Sequence, residues 1–415
     1  MADTKLGMAP LLGDYRGTLH FGPGVHFLQF WSNVAVIEAD DGVVLFDAGF
    51  EFTGPRIVEE LRRITDKPVA YIVYGHGHAD HAFGAAAVIA DARQRNYPRP
   101  IIVAHENVSR RFDRYRELLA YHEHINRIQF DIPESLPAFP RNFIYPDLTY
   151  REAMSFRLGG LTFQLRHAQG ETDDTTWLFI PERRTVCVSD LWVWSCPNIG
   201  NPFKVQRYEV EWARALEAVA GRAPELLLPG HGPALEGAEE IQRACLLVAR
   251  ALRYLHDRVV AMLNQGKWPE EILRDFEWPE EFAQSPLLAP VYGHPYFIVQ
   301  AILRRYHGWY DGNPSHLFPA ASAAIGREVL ALAGDSERVL ERVRSLHHQG
   351  ETQLALHLVD FVIEGGGEKE REARELKIKL LQSLAEREPS LIARNIFLVS
   401  ARRLKRGLES GGSGS

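Results

Sequence analysis

The stretch Tyr74-Gly-His-Gly-His-Ala-Asp-His places His76, His78, Asp80 and His81 within six consecutive positions, directly after the apolar run Val69-Ala-Tyr-Ile-Val73. A run of that composition reads as a buried strand, so the four side chains leave its end on a single loop. Imidazole and carboxylate are the donors a borderline cation such as zinc prefers. With 17 His in 415 residues, a chance H-x-H-x-D-H is expected on the order of once in a thousand chains of this length, so a solvated polar loop is the weaker reading. A single ion takes three or four ligands. His76 with His78, and Asp80 with His81, therefore point to two neighbouring ions that both need donors from elsewhere.

The remaining donors have candidates at the ends of later apolar segments: Glu171 in A-Q-G-E-T-D-D, Asp190 in C-V-S-D-L, and His231 in L-P-G-H-G-P. Short β-rich segments from Gly24 to Phe46, punctuated by Asn, Asp and Gly, predict a strand meander. A helical segment, T-G-P-R-I-V-E-E-L-R-R-I-T, precedes the apolar run, and a small-residue helix, A-F-G-A-A-A-V-I-A-D-A-R-Q, follows the histidines. The strand-like P-I-I-V-A-H-E comes next, then helical spacing from Val108 to Asn126. L-T-F-Q-L-R-H-A, T-T-W-L-F-I-P-E and R-T-V-C-V-S-D-L read as strands, E-V-E-W-A-R-A-L-E-A-V-A-G as a helix, and E-L-L-L-P-G as a further strand. Two mixed halves, each ending in a ligand-bearing loop, predict two sheets packed between helices. Beyond about residue 240 the spacing is helical with almost no strand signal, broken by Gly365 to Gly367.

A length of 415 residues suits two cores. The expected division is an α/β catalytic domain over residues 1–240, an all-α domain over 241–407, and a linker remnant, L-E-S-G-G-S-G-S, at 408–415. A formal net charge of −7 argues against nucleic acid as a partner. No run of about 18 apolar residues predicts a membrane span. The first residues lack a basic segment followed by an apolar one, so no secretory signal is expected and the cytoplasm is the expected location. Cys187, Cys196 and Cys245 are odd in number and scattered, which predicts buried free thiols rather than disulfides or a metal site.

In order and context, H-x-H-x-D-H, a ligand just after a Gly, an Asp after a β-run, and then P-G-H-G resemble the metallo-β-lactamase superfamily. Glu171 stands where most of that superfamily has His, and its spacing to Asp190 resembles the alkylsulfatase branch. The C-terminal segments R-Y-L-H-D, R-Y-H-G-W-Y-D-G-N-P and R-N-I-F-L-V-S-A-R-R-L are similar to the dimerisation domain of that branch. The resemblance implies an αββα sandwich followed by a helical dimerisation domain, and a homodimer. It implies two Zn2+ ions: His76, His78 and Glu171 on the first, Asp80, His81 and His231 on the second, and Asp190 bridging. It implies hydrolysis of a small anionic ester, an alkyl sulfate, by a hydroxide held between the ions, with Asp80 and Asp190 taking part in catalysis. Another ester class on the same scaffold (lactone, thioester or phosphoester) is the alternative, and a non-enzymatic metal-binding dimer a third. The branch usually carries a sterol-carrier-like third domain, which is expected to be lacking here, and a His-Asn pair followed by an Arg. In this chain Asn198 matches the Asn and Pro197 stands at the His. Asn198, Lys204 and Arg207 are the candidates for an anion pocket.

Several residues have competing readings. His167 is an alternative ligand to Glu171, which the Gly-then-ligand pattern favours. His122 and His124 line a substrate entrance or sit on an exposed amphipathic helix. Asp47 is expected to hold a ligand loop through a hydrogen bond, with a turn-forming Asp as the alternative. Asp173 and Asp174 support the site or form a turn. Tyr292 and His294 are expected in helix packing or a dimer interface.

Overall fold

A computed structural model describes residues 15–410. The first 14 residues, on which the expected absence of a secretory signal rests, and residues 411–415 of the expected linker tail lie outside the described residues.

The N-terminal strands β1 (Gly17–His20), β2 (Val25–Gln29), β3 (Val34–Ala39) and β4 (Gly42–Phe46) form the expected antiparallel meander. β5 (Val69–Val73), β6 (Ile101–His105) and β7 (Leu148–Tyr150) then add in parallel, completing a seven-stranded sheet in sequence order. β8 (Ala153–Leu158), β9 (Leu161–Ala168), β10 (Thr175–Ile180) and β11 (Thr185–Ser189) form a second antiparallel meander. β12 (Leu226–Pro229) pairs in parallel with β11, and β13 (Leu235–Glu236) closes a six-stranded sheet.

The period of two in β3 separates two cores. Val34 and Val36 face the helices Gly54–Ile64, Ala85–Gln94 and Asn107–Glu117, while Ala35 and Ile37 face the second sheet. Both faces are buried from Val34 to Ile37, and that stretch is a continuous apolar run, as expected of sheets covered on both sides. β11 repeats the pattern: Cys187 points between the sheets, and Val186 and Val188 point to the outer helices Glu209–Ala220 and Ala238–Asn264. The result is the αββα sandwich expected from the strand and helix order. All three cysteines are buried and free.

The chain divides into two compact units. The first runs to Glu123 and resumes from Pro137 to Gly308; the second comprises His124–Leu136 and the chain from Trp309 onward. The first unit thus continues past residue 240, because Ile241, Ala244, Val248, Leu252 and Leu255 of helix Ala238–Asn264 share a core with Trp212 and Leu216 of helix Glu209–Ala220. In the second unit, helices Ser322–Ala333 and Thr352–Gly365 approach at two glycines: a Cβ on Gly326 would lie 2.6 Å from the Gly365 amide nitrogen. Among the described residues, no helix is long and apolar enough to cross a membrane.

Candidate metal centre

β5 ends at Val73, and the chain turns through Gly75 to His76. Gly75 has to be glycine, since a Cβ there would lie 2.5 Å from the Ser189 side chain and 2.6 Å from Asp47 Oδ1. His78 precedes the single-turn helix Ala79–Ala82, which presents Asp80 and His81 together. The other donors come from the ends of the second sheet: Glu171 from the β9–β10 loop, Asp190 directly after β11, and His231 two residues after β12.

All seven expected donors converge. His81 Nε2 and His231 Nε2 each lie 3.2 Å from Asp190 Oδ1 and 3.5 Å from Asp80 Oδ2. His76 Nε2 lies 3.6 Å from the other Asp190 oxygen, Oδ2, and His78 Nδ1 lies 4.0 Å from Glu171 Oε1. Three donor sets have ligand atoms within 4.8 Å of one another: Asp80, His81 and His231; His78, Glu171 and Asp190; and His76, His81 and Asp190. The two Asp190 oxygens face different histidines, the geometry a carboxylate shared between two ions needs.

Two observations test whether a divalent cation fits. His76 Nε2, His81 Nε2 and Asp190 Oδ1 are buried with no hydrogen-bond partner among the described residues, although buried polar atoms are almost always paired. Three carboxylates also share one buried site, which calls for positive charge. Burial opposes a proton on His231, yet Asp190 and Asp80 push its pKa up to about 9. Burial likewise opposes a charge on His81, and Asp190, Asp80 and Asp47 still hold its pKa well above the usual range. Burial pushes His76 down to about 4 and Glu171 up to about 7. The donor chemistry therefore suits a divalent metal.

The surrounding shell resolves several open readings. Asp47 holds the ligand loops: its Oδ1 accepts from the Gly75 amide at 2.6 Å and its Oδ2 from His81 Nδ1 at 2.8 Å. Asp174 is fully buried and supports the site, accepting from Arg111 Nε at 2.7 Å and from the Gly77 amide at 3.2 Å. Asp173 pairs with the same guanidinium from a more exposed position. His231 Nδ1 donates to the Trp31 carbonyl at 2.5 Å, and the indole packs edge-on against the imidazole. His167 belongs to none of the donor sets; it stacks on His105 at 3.7 Å, with Nε2 at 3.0 Å from the Asp173 carbonyl. His122 is half-buried between Tyr115 and Phe139 rather than on an exposed face.

Of the three candidates for an anion pocket, two are placed on an expected ligand, Glu171. Asn198 Nδ2 donates to Glu171 Oε1 at 2.9 Å, and Arg207 Nη1 donates to the same oxygen and, at 2.5 Å, to the Asn198 carbonyl. Both side chains are buried. Lys204 is half-buried on the loop between them, its carbonyl accepting from Arg304 Nη1 at 2.8 Å. Burial, then Arg207, pushes its ammonium pKa down to about 7, against the pull of Glu171 and Asp80. Tyr292 also belongs to this neighbourhood: burial first, then the charges of Glu171, Asp80 and Asp190, hold its phenol protonated. His294, two residues on, caps helix Pro295–Tyr306 by accepting from the Tyr296 amide at 3.1 Å. Sequence reasoning missed Arg111, Trp31 and Ser189; only the placement of Ser189 next to Asp190 offered a signal.

Comparisons with known proteins agree with this geometry. Residues 30–231 match the family model of the metallo-beta-lactamase superfamily, and residues 268–407 that of alkyl sulfatase dimerisation. A linear primary-alkylsulfatase of Pseudomonas sp. is 26% identical over 90% of this chain and 74% of its own length. An alkyl/aryl-sulfatase of Saccharomyces cerevisiae is 23% identical over 91% of this chain and 62% of its own. Among solved structures, a stereoselective inverting sec-alkylsulfatase from Pseudomonas sp. superposes with a TM-score of 0.84 at 19% identity, over 94% of this chain and 66% of that one. The chain thus spans about three fifths to three quarters of the length of these relatives. With both family models matched in succession and the donor set of the fold in place, the chain belongs to the metallo-β-lactamase superfamily, in its alkylsulfatase branch.

Proposed function

We propose that this protein is a dinuclear zinc hydrolase that cleaves alkyl sulfate esters to an alcohol and sulfate. The observation that carries the reading is the convergence of seven donors from both sheets, with the Asp190 oxygens facing two separate histidine groups. His76, His78 and Glu171 would hold one ion, Asp80, His81 and His231 the other, and Asp190 both. Held there, divalent ions supply activation of water at neutral pH and charge to offset the anionic ester oxygens. Asp80 lies between His81 and His231, which keep it ionised against the effect of burial, so it is an acceptor able to orient an attacking water. Arg207 and Asn198 hold Glu171 in place. Lys204, on the same loop, is the cation assigned to the sulfate group, and with a pKa of about 7 it is also suited to giving a proton to the departing oxygen. The names of the relatives, alkylsulfatases acting on linear primary, secondary or aryl esters, support the substrate class. A homodimer formed through the region of residues 268–407 and a cytoplasmic location belong to the same proposal; light scattering and cell fractionation test them.

The deciding experiment pairs elemental analysis with sulfate release from short and medium alkyl sulfates, in wild type and Asp190→Ala. Two zinc ions per chain, with sulfate release abolished in the variant, is the expected result. Two ions without sulfate release would instead favour another ester class. The engagement of Asn198 and Arg207 by Glu171 is the observation that keeps that second reading open.

A further inference from the structure

Among the described residues, six non-glycines adopt left-handed backbone, and two of them meet behind the metal centre: Asp47 at φ 63° after β4 and Ser189 at φ 46° at the end of β11. Such conformations are unfavourable for residues with a Cβ and persist where surrounding structure demands them. They come from different sheets, and their side chains touch, Ser189 Oγ lying 2.8 Å from Asp47 Oδ2.

The direction of each hydrogen bond follows from counting protons. The Ser189 hydroxyl has a single proton, and it donates that proton to Asp47 Oδ2. Ser189 Oγ also lies 3.1 Å from His76 Nδ1. With its own proton committed, the oxygen has only lone pairs to offer, so His76 Nδ1 carries the hydrogen and donates. Asp47 Oδ2 accepts from His81 Nδ1 at 2.8 Å, so that ring is protonated at Nδ1 as well. In the neutral, metal-binding form both rings are thereby left with an Nε2 lone pair, and both Nε2 atoms are buried, without a hydrogen-bond partner among the described residues, and face the donor cluster. The opposite tautomer of either ring would aim a hydrogen at that point.

We propose that Ser189 is a positioning residue: its hydroxyl fixes His76 in the Nδ1–H tautomer, as the Asp47 carboxylate does for His81, so that one side chain of the second sheet readies a ligand on the first. This deepens the metallo-hydrolase reading and rests on it. Ser189→Gly separates the role from simple packing. Glycine relieves the left-handed backbone, so on conformational grounds alone the variant folds at least as well as wild type. On this proposal it nevertheless binds zinc more weakly.

The test uses the full chain of wild type, Ser189→Gly and Ser189→Ala, with zinc affinities from competition with a chromophoric chelator. Histidine ring protons are observed in zinc-loaded, 15N-histidine-labelled protein. Wild type should show slowly exchanging Nδ1–H signals from His76 and His81. Both variants should lose the His76 signal to exchange, keep that of His81, and bind one of two zinc ions about 10-fold to 100-fold more weakly, as loss of such support does at other metal sites. If both signals and both affinities survive in Ser189→Gly, the proposal is overturned and the metal reading stands. A wild type that takes up no zinc overturns the metal reading and this inference with it.

Discussion

Asp174→Asn keeps the shape of a side chain behind the H-x-H-x-D-H loop and removes its charge. The Asp174 and Arg111 side chains are 0% and 5% exposed and meet at 2.7 Å, and Asp174 also accepts from the amide of Gly77, between two expected ligands. Removing one partner from a buried ion pair costs about 3–5 kcal/mol, because the other charge is left without compensation. Here Asp173 still reaches the Arg111 guanidinium, so the low end of that range, about 3 kcal/mol, is expected. Asp173→Asn is the matched control. Its side chain is 38% exposed, and loss of so solvated a charge should cost at most about 1 kcal/mol. Urea unfolding in the presence of a chelator measures both without interference from bound metal. The pH dependence has a definite sign. Burial raises the Asp174 pKa, but Arg111 more than offsets it and leaves it below the ordinary 3.8. The pair's contribution is therefore full above pH 3.8 and lost as pH falls through the lower folded-state value, and the variant should lack this acid-dependent loss. An Asp174→Asn protein within 1 kcal/mol of wild type, or no weaker than Asp173→Asn, would refute the reasoning.

Three further outcomes are expected. If Lys204 meets the substrate anion, KM should rise as pH climbs through about 7 and the ammonium loses its proton, whereas Lys204→Arg, charged throughout, should show a flat KM between pH 6 and 9; parallel profiles would count against the assignment. Gly84→Ala places a Cβ 2.0 Å from the Ala48 carbonyl oxygen, in the segment whose amide donates to His81 O, so thermal melts should show a loss of about 3 kcal/mol or more. Chelation should lower the melting temperature, since an ion at a thousand times its Kd adds about 4 kcal/mol, and Asp190→Ala should show no metal-dependent shift; equal melts with and without metal in wild type would argue against the site.

The candidate donors that the structure brings together were legible because each follows an apolar strand, and strand ends are a feature the one-dimensional pattern records. The His76 to His81 loop, Asp190 and His231 all sit where β5, β11 and β12 stop. What lies behind them was not legible, because side-chain direction within a loop leaves no periodicity. Asn198, Lys204 and Arg207 read alike as an anion pocket, yet two of the three turn onto Glu171. Asp174 differs from Asp173 by one position, and only the fold makes one buried and the other partly exposed. For Ser189 the sequence offers only its place next to Asp190, since its positive φ leaves no mark there. The expected limit near residue 240 followed the change from strands to helices. The compact unit follows packing instead, with Trp212 and Leu252 in one core.

The donors are drawn from both sheets, and this affects how the molecule is made. Asn33, on the turn between β2 and β3, donates through its amide nitrogen to Gly230 O at 2.7 Å and through its side chain to Gly232 O at 2.9 Å, tying the first sheet to the loop of His231. Contacts across nearly 200 residues carry a large loop-closure cost, which slows folding. During synthesis, His76 to His81 leave the ribosome well before Glu171, Asp190 and His231 exist, so the early loop offers an ion an incomplete and exchangeable grip. On the proposed donor set, tight retention would require the second sheet to have docked, so metal occupancy is expected to report on whether the two halves have been joined.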